Sequence, residues 1–290
     1  MNIPSIGFNH QQSDDEELEI IDLASINQRS QRNHIDHNPQ KPHKVTFFML
    51  IYIEQGHGVH MIDFNRYPFK PGSILIVQRD QVHAFDFSSN PQGKVLIFTQ
   101  AFLDQVHANM RLPKYTPTHL NQQHSPQFEL DNATFQRANI LIKQIQLEIT
   151  HSQPDSLVIM YLFSALALIL HRVRPEAKHD KISQAHSIKL AQFYQLMQQN
   201  FRHTRDASWY SNQLNITYKT LNHICKLATG LTAKQMIDAF TVIEIKRHMV
   251  ISQKPSQQIA YDFGFDDASN FVKYFKNQTN TTPSQFLKQV

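Results

Sequence analysis

One cysteine in 290 residues leaves nothing from which to build a disulfide framework, and that scarcity suits a reducing compartment. Cys225 itself falls within a helical apolar pattern and reads as a small core residue rather than a reactive thiol. Long apolar runs are also absent. The longest, residues 157–170, has 14 residues, fewer than the roughly 20 that a bilayer-spanning helix requires. It is expected to be a buried helix that caps a β region, or a dimer-forming one, and no membrane is expected as a partner. Lys and Arg are missing from the opening MNIPSIGFNHQQSDDEELE, where a signal or transit peptide would carry them, so the expected location is the cytoplasm. Glycine is sparse in the last third, where only Gly230 and Gly264 interrupt a helical texture.

Hydrophobic residues make up 41% and charged residues 18%, an ordinary globular balance rather than a disordered one. The length suggests two compact units with a connection between them. Charge separates them. Residues 185–290 carry 12 Lys and Arg against 6 Asp and Glu, whereas residues 1–184 carry 16 against 18. A polyanionic partner is therefore expected for the C-terminal part alone.

Residues 1–40 are polar and read as a loose N-terminal arm with one short strand at Leu18-Glu-Ile-Ile-Asp-Leu23. From about Val45 short apolar runs alternate with Gly and Pro turns: VTFFMLIYIE, VHMIDFNRYPF, ILIV, VHAFDF and KVLIF. Five or six strands at roughly ten-residue spacing predict an antiparallel sandwich or small barrel, with an apolar interior suited to a small organic effector. Residues 133–150 place Phe135, Ala138, Ile142, Ile145 and Ile149 on one helical stripe, and residues 157–173 are apolar nearly all round. Residues 41–173 are thus expected to form one domain and the charged stretch 174–184 a linker, with residues 185–290 forming an all-α domain.

Within that last domain, residues 208–216 read as a short helix with a tight turn near Asn215. Thr217 then caps a second helix that ends at Gly230. Leu221, Ile224, Cys225 and Ala228 recur at helical spacing and should face a core, which leaves Lys219, Thr220, Asn222, His223 and Lys226 outward. About 47 residues later the grammar returns: a helix at 256–263, a Gly264-Phe265 turn, Asp266 or Asp267 as cap, and a helix at 268–278. Phe271, Val272 and Phe275 should face inward, with Ala268, Ser269, Lys273 and Lys276 outward. Residues 234–251 supply a rigid spacer helix. Two helix-turn-helix units present helices that fit a DNA major groove, where Asn, Lys and Ser can meet base edges. Lys226 and Lys276, with the capped helix starts around Thr217, Thr220 and Asn270, can hold phosphates.

The segment IAYDFGFDDASNFVKYFKNQTNTTPSQF resembles the second helix-turn-helix signature of the AraC/XylS family of bacterial transcription regulators. The match falls on Ile259, Ala260, Gly264, Phe265, Phe271, Phe275, Lys276, Thr282, Pro283 and Phe286; in the first unit Leu214, Leu221, Thr229 and Gly230 are in register. The N-terminal IEQGHGVHMIDF, FKPGSILIV and QVHAF resemble, more loosely, that family's cupin-like sensor domain. The resemblance implies an α+β two-domain fold: an N-terminal cupin-like β-barrel with packed helices, then a C-terminal all-α domain with two helix-turn-helix units. It also implies a sequence-specific regulator, an activator by family habit, acting on double-stranded promoter DNA and RNA polymerase as a homodimer and controlled by a small-molecule effector. Base-facing positions would fall on Lys219, Asn222 and His223 in the first unit and on Ala268, Ser269 and Lys273 in the second. Three positions depart from the pattern: Asn280 replaces a glycine, and Thr241 and Leu287 replace arginines.

Histidines give the competing reading, a cupin metalloenzyme. Such enzymes resemble His-x-His followed by a Glu, whereas this chain has His57-Gly-Val-His60 and lacks that Glu. No metal, no cofactor and no catalytic residue are therefore expected; His43, His60, His83 and Arg79 are instead candidates for the effector pocket. A third reading, a non-specific DNA binder, would predict a basic face everywhere, and the charge excess is too modest for that.

Overall fold

The computed structural model describes residues 4–8, 17–32, 37–110, 125–173, 183–252 and 254–289. Of these, residues up to 173 form one compact unit and those from 183 onward another. Most of the expected linker, residues 174–182, lies outside the described residues.

The first unit is built on two five-stranded sheets. One has the order β1 (Ser5–Ile6), β3 (His43–Val45), β8 (Val82–Ala84), β5 (Gly58–Ile62), β6 (Asn65–Phe69). The other runs β10 (Gln127–Glu129), β7 (Ser73–Val77), β4 (Phe48–Gln55), β9 (Gln92–Phe98), β2 (Leu18–Asp22). Every pairing among them is antiparallel except β1 with β3. Strand β4 is apolar along nearly its whole length because both of its faces are covered. Met49, Ile51 and Ile53 join Leu75, Val77, Val95 and Ile97 in the core. On the opposite face Tyr52 stacks on Phe135 and donates its hydroxyl to the Phe135 carbonyl at 3.1 Å.

That second face is covered by α3 (Asn132–Ile149) and α4 (Ser156–Val173). Asp131 caps α3 by accepting from the Thr134 N–H, and Ala138, Ile142 and Ile145 are its buried stripe. In α4 Met160, Phe163, Ser164, Leu166 and Leu170 are buried, and Phe163 meets Phe98 and, on α2 (Gln100–Met110), Phe102 edge to face. The helix outgrows its 14-residue apolar run and, at 18 residues, is long and apolar enough by length and composition to cross a bilayer. In this molecule it caps a sheet.

Two local features differ from the expectation. VHMIDFNRYPF is not one strand but a hairpin, β5 and β6, turning at Asp63 and Phe64 with φ of 47° and 67°. Positive φ at both central residues is the turn that matches sheet twist, and no glycine advertised it. The Asp63 carboxylate holds it by accepting from Gln81 Nε2 at 2.7 Å and from the Val82 N–H at 3.2 Å. In the arm the expected short strand is present as β2, paired along all five residues with β9, but the chain after it is helical rather than loose: α1 (Leu23–Gln31) drives Leu23 into the core.

The second unit is helical throughout its described residues: α5 (Gln184–Asn200), α6 (Ala207–Gln213), α7 (Tyr218–Thr229), α8 (Ala233–Ser252), α9 (Ser256–Asp262), α10 (Ala268–Thr279) and α11 (Pro283–Gln289). Its grammar repeats. Helices α7 and α10 both end on a left-handed residue, Gly230 at φ 73° and Asn280 at φ 59°; asparagine tolerates that conformation, which explains its use in place of glycine. Each is followed by a reciprocal cap, Thr232 with Gln235 and then Thr282 with Gln285. Phe193, Tyr210, Phe263, Phe271 and Phe275 fill the interior.

Candidate DNA-reading faces and effector pocket

In the first helix-turn-helix, α6 is capped by Asp206, Asn215 makes the turn at φ 52°, and Thr217 caps α7 by accepting from the Thr220 N–H at 3.1 Å. Leu221, Ile224, Cys225 and Ala228 are buried, and burial pushes the Cys225 thiol up to about 12, so it stays protonated. Lys219, His223 and Lys226 stand exposed along the opposite face with Thr217. Thr220 is half-buried, its hydroxyl 2.8 Å from that of Thr217.

Asn222 departs from the expectation. It is half-buried, and its Oδ1 accepts from the Ala233 N–H at 2.9 Å, tying α7 to the first turn of α8. Bidentate pairing with adenine needs both ends of the carboxamide, and here one end is committed inside the protein. One end of the Asn222 carboxamide is thereby committed to holding α7 against α8.

In the second unit Gly264 turns the chain at φ 67°, and Asp267 caps α10 by accepting from the Asn270 N–H at 2.8 Å. Ser269, Asn270, Lys273 and Lys276 are exposed, Ala268 is half-buried, and Phe271 and Phe275 are fully buried. The Asn270 Nδ2 donates to Asp267 Oδ2 at 2.8 Å, which draws this expected phosphate donor toward the cap.

Sequence reasoning missed the residues that fix α10. The Tyr274 hydroxyl donates to Asp238 Oδ1 at 3.0 Å, and Lys234 Nζ reaches the same oxygen at 2.6 Å. Desolvation, then the charge of Asp238, raises the Tyr274 phenol well beyond its usual range. No spacing advertises this group, because its members come from two helices, with Asp238 and Tyr274 36 positions apart.

In the first unit the structure brings three of the four pocket candidates together. His43 lies directly opposite His83 in the β3–β8 pairing, and His83 also opposes Ile62 on β5, two residues from His60 on the same face. The His43 and His83 ring centroids are 4.1 Å apart, those of His60 and His83 5.3 Å, and Phe85 lies edge-on to both His60 and His83. The alternation His83, Phe85, Phe87 in VHAFDF was the available signal for this wall. All three histidines are buried. Desolvation lowers His43 to about 4 and His60 to about 3, and pulls His83 well below its usual value. Near pH 7 they are neutral.

His43 Nδ1 lies 3.0 Å from the Lys41 carbonyl and His83 Nδ1 lies 3.3 Å from His60 Nε2, but His83 Nε2 is buried with no hydrogen-bond partner among the described residues. An orphaned buried nitrogen costs about 1–3 kcal/mol unless something meets it. Arg79, the fourth candidate, is exposed and pairs with Asp80 at 3.4 Å, whereas the three histidines are buried. Among the described residues no group of three or more His, Cys, Asp or Glu is placed to hold a metal ion.

Residues 28–167 match the model of the AraC-like ligand binding domain, and residues 210–289 match a helix-turn-helix domain model, together about three quarters of the chain. The HTH-type transcriptional activator RhaS of Escherichia coli strain K12 / DH10B is 20% identical over 242 residues, covering 83% of this chain and 85% of that protein. RhaS of Shigella sonnei strain Ss046 aligns with the same identity and coverage. Among solved structures, ToxT from Vibrio cholerae O395 aligns over 85% of this chain and 90% of its own, at 14% identity and a TM-score of 0.45. The ligand-domain match over the two-sheet unit, and the helix-turn-helix match over the repeated capped helices, establish that the chain belongs to the AraC family of transcription regulators.

Proposed function

We propose that this regulator reads a bipartite promoter site with Lys219 and His223 from α7 and Ser269 and Lys273 from α10, while Lys226 and Lys276 hold flanking phosphates. The observation that carries the proposal is the repeated helix with a buried apolar face and an exposed Lys-bearing one. A major-groove helix places such side chains on base edges. Activation rather than repression follows the example of RhaS, whose name describes a transcriptional activator; contact with RNA polymerase, cytoplasmic location and absence of an enzymatic role belong to the same reading. Selection of duplexes from a randomised pool by the full chain should enrich two conserved blocks, and affinity should fall linearly with salt on logarithmic axes. Enrichment of no motif, with retained salt-dependent binding, would favour the non-specific binder.

The effector is taken to enter the first unit and meet His83 Nε2, its remaining contacts being apolar. Pairing of two copies is taken to use the outer stripes of α3 and α4, where Ile140, Leu147, Leu157 and Tyr161 are each more than half exposed. A thermal-shift screen of the full chain against small aromatic and carboxylic compounds, followed by light scattering with each hit, tests both ideas. A raised melting temperature that His83→Phe abolishes, and a mass of two chains, are expected; hits indifferent to His83 and a monomer mass would refute them.

A further inference from the structure

A bipartite site is read faithfully only if the two reading helices keep a fixed spacing, and the described contacts supply a part for that purpose outside both reading faces. The segment 201–205, between α5 and the Asp206 cap of α6, is packed on the turn of the second helix-turn-helix. Phe201 meets Phe263 at 5.8 Å and Phe240 at 5.2 Å between ring centroids. The Arg202 carbonyl oxygen lies where a side chain on residue 264 would go, 2.3 Å from an ideal Cβ, so only glycine admits the contact. Arg205 then closes it. Its Nη1 donates to the Phe263 carbonyl at 2.7 Å and its Nη2 reaches the Gly264 carbonyl at 3.4 Å, while the guanidinium lies 3.9 Å over the Phe265 ring and 5.5 Å from that of Tyr274.

Each of these contacts uses what is particular to arginine: a planar fork that spans two carbonyls and a flat cation that stacks on aromatic rings. Lysine would keep the charge and lose the fork. Arg205 is also the residue immediately before the N-cap of α6, so whatever it holds is held relative to the first helix-turn-helix. Tyr274, under the same guanidinium, is the α10 residue that donates to Asp238 on α8.

We propose that Arg205 is a specificity-determining positioning residue, a clamp that fixes α10 relative to α7 and thereby sets the half-site spacing that the regulator accepts. The proposal rests on the reading above, that both units contact DNA, and its test separates the two. With the full chain and the duplex enriched by it, inserting one base pair between the two blocks should weaken wild-type binding about tenfold. Arg205→Ala should lose less than about threefold on the same insertion, and Arg205→Lys should fall between. An undiminished penalty in Arg205→Ala overturns the clamp.

A second measurement needs no DNA. Spin labels at Tyr218→Cys on α7 and Asn277→Cys on α10 report the spacing directly, since both positions are exposed and Cys225 is buried. The distance distribution should be narrow with Arg205 present and broad in both Arg205 variants. An unchanged width refutes the clamp even if no DNA site is ever enriched, and a broadened width with no enriched site refutes only the DNA reading.

Discussion

In the ligand-binding unit three histidines stand ring against ring, fully enclosed, and one nitrogen among them is unmet. In the helix-turn-helix unit most buried polar side chains are satisfied close by. Thr229 and Thr241 donate to carbonyls one turn back, Asp238 accepts from Tyr274 and Lys234, and Arg247 pairs with Glu244. The exception among the described residues is the Tyr194 hydroxyl, which is neutral at any physiological pH because burial raises it far above its usual value. The contrast separates a scaffold whose polar groups are met from a core whose stability depends on its protonation.

Acid should break that contrast most severely. Each of the three histidines has its folded value depressed, so the unfolded chain binds protons more readily. Stability from their neutral burial is complete above the unfolded value near 6.5 and is lost as pH falls from there toward about 4 for His43 and about 3 for His60. The slope should approach about 1.4 kcal/mol per pH unit for each histidine. Asp86 opposes this for His60, which moderates the slope without reversing it. Thermal melts of the full chain between about pH 7.5 and pH 5 should show the first unit unfolding earlier at lower pH. His43→Phe should flatten that dependence by one proton; an unaltered slope would detach the cluster from the effect.

Glycines in the second unit sharpen the comparison at smaller scale. Gly264→Ala meets both the Arg202 carbonyl and a left-handed backbone, and should destabilise by about 3 kcal/mol or more. Gly230→Asn should cost within about 1 kcal/mol, since Asn280 already occupies the corresponding cap at φ 59°. Denaturant unfolding measures both; equal losses would mean that backbone conformation alone, not close approach, makes Gly264 necessary.

What the sequence disclosed and what it withheld have physical causes. The order of helices and turns in the helix-turn-helix units was legible because caps, turns and helical periodicity are local: Thr217, Asn215, Gly230 and Gly264 sit where their chemistry placed them, and Asp267 is the cap of the two aspartates offered. The β6 strand was folded into its neighbour because an Asp-Phe turn carries no glycine mark. Asn222 was expected to stand fully outward, because a helix periodicity shows that a side chain points away from the core without showing that the next helix begins beside it. Arg79 was placed with the histidines on charge alone. Arg205 and Arg202 escaped notice because their partners lie about 60 residues away.

The two helices proposed as readers are themselves unequal. Helix α7 starts on a neutral threonine, whereas α10 starts on Asp267 beside Asp266, so the start of α7 is the less repulsive of the two toward an anion. The central claim, two separate readers on one chain, is tested most directly by repeating the duplex selection with Lys219→Ala and with Lys273→Ala. Each substitution should relax base preference about tenfold at positions in one block only, and the two blocks should differ. Relaxation of the same positions by both variants, or of none by either, would contradict it.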